Sequence, residues 1–283
     1  MKAVAEQAVP FGAASVPRSL GDGTFTTTLR PEWSVGGHPH AGFLVALMAR
    51  AAVTVVSEHA ELASDPISIS VEFLRAASLG PALLRTDVRK AGGQLTVVGV
   101  RLEQRGRCCV EATVMISRLP WQRSVWSELP VMPAEPPSNA IALSKTQSGD
   151  GARLTEGCEV RLDASTALFL AGRRPPVTAG NAKVPRLRLR LWVRPKSGPT
   201  DVYFALLAGD VSPPVPSNLG HGGFAPPVQL TALVRARPAP GWLRVHVDSR
   251  AVSRPWFDSD ATVIDAAGQL VCQMRQLAVT PGR

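Results

Sequence analysis

The sequence has no apolar run of the roughly 18–20 residues that a membrane span requires. Its longest apolar stretch, Ala41 to Val56, is interrupted by Arg50 and reads as a buried helix. The N-terminus carries an early lysine and then Glu6, without the apolar segment of a secretory leader, so the expected location is cytoplasmic. Cysteine is scarce. Cys108, Cys109, Cys158 and Cys272 show no CxxC or Cys/His spacing, which argues against a zinc site, and they read as small buried hydrophobes kept reduced. Aromatics make up 5% of the chain, and no block of five like charges occurs. The net charge of +9 fits either an anionic partner, such as a phosphate-bearing ligand, or a solvated basic surface, and it argues little for nucleic acid, which would need base-stacking platforms. GxGxxG, GxxxxGK and GxSxG are all absent, which removes the usual dinucleotide, P-loop and nucleophile-elbow readings.

What is present is an internal repeat. A shift of 161 residues lays the chain over itself: Gly37 meets Gly198, Phe43 meets Phe204, Pro66 meets Pro227, Gly80 meets Gly241 and Asp87 meets Asp248. After the next hairpin the offset slips by one, so Gly106 meets Gly268. The period is far too long for a solenoid and reads as a duplicated domain. A chain of 283 residues has room for two domains of ordinary size.

Each copy follows one plan. A strand opens it, Phe25 to Leu29 in the first copy and Arg186 to Val193 in the second, where Arg and Leu alternate with period two. A turn follows, at Gly36-Gly37 and at Lys196 to Pro199. Next comes an apolar helix, predicted over His40 to Glu58 and, shorter, over Asp201 to Asp210, where Pro213-Pro214 close it. Being apolar on most sides, the first helix must be wrapped by other structure. Strands complete the first copy over Ile67 to Leu74, Ala82 to Arg89, Leu95 to Gln104 and Cys108 to Ile116. Those of the second run over Val228 to Val234, Trp242 to Ser249, Ser259 to Ile264 and Leu270 to Val279. The copies divide as 1–117 and 156–283, with a Pro-rich linker, 118–155, that cannot hold a regular ladder over Pro130 to Pro137. Glu156 to Leu162 adds an extra strand ahead of the second copy.

A strand, a buried helix and an antiparallel run of strands define an α+β double hot-dog, two sheets each wrapped around a central helix and joined into one. Three sets of residues carry a resemblance: Gly36-Gly37 with the helix AGFLVALMARAA (Ala41 to Ala52), VEFLR (Val71 to Arg75), and IDAAGQLVCQMRQLAV (Ile264 to Val279). In this order they resemble the tandem hot-dog acyl-CoA thioesterases, the type II bacterial and peroxisomal group, and especially its actinobacterial thioesterase-like branch. The resemblance implies hydrolysis of an acyl-CoA, or another pantetheine thioester, to a free acid and CoA. It implies a water activated by Asp, Thr/Ser and Gln in the second copy, without metal or redox cofactor. It implies no nucleic-acid partner, and it leaves room for a homodimer of double hot-dogs.

Carried onto this sequence, the glutamine falls on Gln276, sharing a strand face with Cys272, Met274 and Ala278. The aspartate position falls on Gln229 and the hydroxyl position on Arg250, beside Ser249. An amide cannot take a proton from water, so a base must come from elsewhere if Gln229 holds that place. Asp210, at the end of the second helix, is one candidate; Asp248, Asp258 and Asp260 are others. Substrate contacts are expected from Gly36, Gly37, His38, His40 and Thr231, with Gly36-Gly37 offering free N–H groups to a thioester oxygen. Arg75, Arg235, Arg237, Arg250 and Arg254 are candidate CoA-phosphate contacts. Two further readings stand beside hydrolysis. One is a catalytically silent acyl-CoA or lipid-thioester binder. The other is a dehydratase or hydratase, ranked last because Glu58 and His59 lie at the far end of the helix.

Overall fold

The computed structural model describes residues 8–57, 65–143, 153–173 and 187–282. Glu58, His59 and Arg186 lie outside these residues. The first copy runs α1 (Phe11–Ala14), β1 (Arg18–Gly21), β2 (Thr24–Leu29), a small hairpin of β3 (Ser34–Val35) and β4 (His38–Pro39), then α2 (Ala41–Ser57). Four strands follow: β5 (Asp65–Phe73), β6 (Gly80–Lys90), β7 (Thr96–Gln104) and β8 (Arg107–Ser117). The second copy holds β9 (Ile141–Ala142), β10 (Cys158–Leu162), β11 (Leu187–Pro195), α3 (Val202–Gly209), β12 (Pro227–Val234), β13 (Leu243–Ser249), β14 (Trp256–Ile264) and β15 (Leu270–Val279).

All strands except β3 and β4 join one antiparallel sheet in the order β1-β2-β6-β7-β8-β5-β12-β15-β14-β13-β11-β10-β9. Read outward from the β5–β12 seam, the two halves carry equivalent strands in equivalent places. At the seam Ser70 pairs with Thr231, and these two residues are 161 apart, the period of the sequence repeat. A two-fold relation between the halves thus passes through this pair, where the two hydroxyls approach to 3.5 Å. The pairing also hides the edge strand that each half would otherwise present.

The sheet curls around both helices. Twelve of the 17 residues of α2 are buried, and seven of the eight of α3. The helices pack against each other as well as on the sheet, and they do so closely: a Cβ on Gly42 would lie 2.9 Å from the Asp210 Cβ and 3.0 Å from the Leu207 carbonyl. Glycine is what permits this approach of α2 to the end of α3. Alternation on β12 buries Leu230, Ala232 and Val234 against the helices and turns Thr231 and Leu233 outward. On β15 it buries Cys272, Met274 and Ala278, the face predicted for Gln276.

The linker is fastened to the outer face of the second half. Met132 is buried with Trp192 and Trp242. The Trp192 indole donates to the Pro133 carbonyl at 2.9 Å, and Arg244 donates to the Met132 carbonyl at 3.0 Å. Glu156 belongs to a short 3-10 turn, so the strand predicted from there begins at Cys158. Among the described residues no helix is long and apolar enough to cross a membrane.

Candidate active site

A cavity of about 800 Å3 opens between the two halves at one end of the helix pair. The head of α2 and the end of α3 meet there because the two helices run antiparallel. His40, the residue before α2, and Asp210, the residue after α3, both line it. Each is placed through its backbone: His40 donates its N–H to the Trp33 carbonyl at 2.9 Å, and Asp210 closes the last turn of α3 through its own N–H.

The Asp210 carboxylate is held from the first half. Its Oδ2 accepts the Gly42 N–H at 2.7 Å, one of the N–H groups that a helix head leaves free. The same oxygen lies 3.7 Å from Nδ1 of His40, whose ring nitrogen is buried with no hydrogen-bond partner. Burial pushes the Asp210 carboxyl above the ordinary carboxylate range, against the opposing pull of His40 and of the Gly42 N–H. Burial likewise holds the His40 imidazole below its usual value, against the opposing charge of Asp210. A raised carboxyl is a stronger proton acceptor, which is what a base needs.

Across the cavity, Gln276 and Ser259 project from neighbouring strands β15 and β14, where they form a cross-strand pair. The Gln276 amide donates to the Ser259 hydroxyl at 3.0 Å. That leaves the serine proton free to donate and the Gln276 carbonyl oxygen free to accept. Ser259 is 4% exposed and stands in line with Phe257, Ala261 and Val263, the inward face of β14. A lone hydroxyl on that apolar alternation is the sequence signal that could have found it.

The structure sorts the sequence-predicted residues. Gln276, Gly36, His38 and His40 line the cavity; Gln229, Thr231, Arg250 and Gly37 are not among its lining residues. Gln229 and Thr231 face away from the helices, and the Gln229 amide donates to the Thr231 hydroxyl at 2.8 Å. Val228, on the same alternation as Leu230, lines the cavity, and the register of β12 against β15 shifts around it, between Pro227 and Gln229. Arg250 is exposed beyond the end of β13, its backbone N–H directed at the Asp258 carboxylate. Gly36 and Gly37 are corrected in role. Both sit at positive φ, 57° and 78°, as the tip of the β3–β4 hairpin, so they do not form the head of the helix. The N–H found at that head belongs to Gly42, and it binds Asp210. His38 donates from Nδ1 to the Ala77 carbonyl, 3.1 Å away, and stacks on Phe224. Of the five arginines, Arg75 alone lines the cavity, and Arg237 is engaged with Asp65 at 3.0 Å.

Two family models match, an acyl-CoA thioesterase N-terminal domain over residues 29–117 and an acyl-CoA thioesterase C-terminal domain over residues 132–280. The chain belongs to the acyl-CoA thioesterase family. An uncharacterized protein of Mycobacterium tuberculosis is 36% identical over 277 residues, covering 92% of this chain and 91% of that one. A protein of Thermobifida fusca, provisionally described as a thioesterase II, superposes with a TM-score of 0.82 at 29% identity, covering 98% of this chain and all of that one, 100%. A hot-dog protein of unknown function from Alicyclobacillus acidocaldarius gives 0.77 at 19% identity, over 96% and 98% of the two chains, and so speaks for the fold alone.

Proposed function

We propose that this thioesterase-family chain hydrolyses an acyl-CoA thioester to a free acid and CoA in the cavity between its halves, with Asp210 as the base. The observation that carries this reading is a buried carboxylate with a raised pKa, lining one cavity together with the Gln276–Ser259 pair. Asp210 takes a proton from a water, whose oxygen attacks the thioester carbon. Gln276 accepts a hydrogen bond from that water and Ser259 donates to it, which fixes its lone pair on the carbonyl. The tetrahedral intermediate collapses by breaking the carbon–sulfur bond, and CoA leaves. The hydroxyl of the trio comes from Ser259 on β14, in place of the Arg250 position beyond the end of β13.

A panel of acyl-CoA esters incubated with a thiol reagent tests the proposal: thiol release above background for at least one chain length is expected. Release for none, with a melting point raised by the same esters, would favour the silent binder. That second reading was motivated by the amide at Gln229, and Asp210 supplies the carboxylate that Gln229 lacks.

A further inference from the structure

Hydrolysis leaves two charges to settle. The carboxylate that activates water ends up protonated, and the departing thiolate of CoA needs a proton. The structure puts one group beside Asp210 that could connect them. His40 comes from the other half of the chain, is 7% exposed, and lines the cavity. Its Nδ1 lies 3.7 Å from the Asp210 carboxylate and makes no full hydrogen bond, though both the carboxylate and the backbone of Asp210 attract a proton on the ring. A buried polar atom left unpaired is costly and calls for a reason. Here the reason is a proton route: the separation closes to a hydrogen bond once the carboxyl carries a proton to donate.

We propose that His40 is the general acid of the reaction, receiving at Nδ1 the proton that Asp210 took from water and delivering one from Nε2 to the thiolate sulfur. This rests on the reading of Asp210 as base. The balance closes. Water loses one proton to Asp210, Asp210 passes it to His40, and the imidazolium so formed protonates the sulfur as the carbon–sulfur bond breaks. Asp210 returns to a carboxylate and His40 to a neutral imidazole with its proton on Nδ1, which exchange with water returns to Nε2 before the next turnover, and the second water hydrogen leaves on the acid. Burial suits His40 to the task, since an imidazolium with a depressed pKa is a better acid. The route also gives the fusion of two hot-dogs a chemical consequence, because base and acid come from different halves.

The test varies the leaving group. His40→Asn and His40→Gln are compared with the unmodified protein on two esters of one acid, an alkyl thioester (the acyl-CoA) and an aryl thioester whose thiolate needs no proton to depart. Both variants are checked for native circular dichroism, and two amides of different length guard against failure of either to fold. A loss on the order of 10²-fold on the acyl-CoA, with little loss on the aryl ester, is expected. Equal losses on both esters would overturn the proposal and leave His40 a residue that only positions Asp210. Hydrolysis of neither ester by the unmodified protein would instead fail the reading of Asp210, and this one with it.

Discussion

The two ends of the α2–α3 helix pair are related by the repeat, yet they have become opposites. The shift of 161 residues carries His40 onto Asp201, and it carries Ala49, next to Arg50, onto Asp210. At one end His40 meets Asp210 at 3.7 Å over an open cavity. At the other, Asp201 meets Arg50 at 2.8 Å. Asp201 is doubly used: one oxygen accepts the Phe204 N–H as the N-cap of α3, and the other binds Arg50. Arg50 in turn reaches the Ser15 hydroxyl at 3.0 Å and lies over the Tyr203 ring at 3.9 Å. Phe11 fills the rest, edge-on to Trp33, Phe43 and Phe204. A carboxylate stands at each helix end with a different partner, and in the proposed mechanism one is a base and the other a strut. A guanidinium holds its charge permanently and neutralises the acid. A buried imidazole exchanges protons with it and leaves it reactive.

The comparison can be broken at either end. Asp210→Asn keeps an acceptor for the Gly42 N–H but removes the base, so thiol release from an acyl-CoA should fall by about 10³-fold with the fold intact. Phe11→Ala at the closed end should act in the other direction. It should cost about 3 kcal/mol and lower the melting temperature by roughly 6–12 °C, with hydrolysis per folded molecule unchanged. Gln276→Leu should preserve stability and reduce kcat/KM by roughly 10²-fold, read from initial rates.

The smallest effect is one of pH. The Asp210 carboxyl is raised in the folded protein, so its contribution is fully present below the unfolded pKa and is lost as pH rises through the folded one. Asp210→Asn should therefore melt above the unmodified protein at neutral pH and converge with it below the ordinary carboxylate range. Hydrolysis should run the opposite way, falling on acidification while the pH is still above that range. Parallel melting and rate profiles would check both signs.

Most of the fold was legible because its signals are local or repeated. Period-two alternation placed β11, the apolar Ala-rich run placed α2 to within two residues of its observed ends, and the repeat showed one plan used twice. The site was legible only in part. Gln276 could be read from strand alternation and resemblance together. Asp210, the proposed base, stood only as one of four candidate carboxylates, for two physical reasons. The resemblance put the aspartate position at the start of the strand after the second helix, on Gln229, and that residue shares the outward face of Thr231. The contact that makes Asp210 special, with Gly42, spans 168 residues and has no local signature. Asp210 was visible as a carboxylate at a helix end, but so was Asp201, and only the tertiary partner distinguishes them.

The most direct test is a crystal structure of Asp210→Asn with an uncleaved acyl-CoA. The thioester carbonyl carbon is predicted to lie in the cavity between residue 210 and the Gln276–Ser259 pair, with His40 beside the sulfur. A thioester bound elsewhere, or oriented with its carbonyl away from residue 210, would contradict the assignment of the open end of the helix pair as the catalytic one.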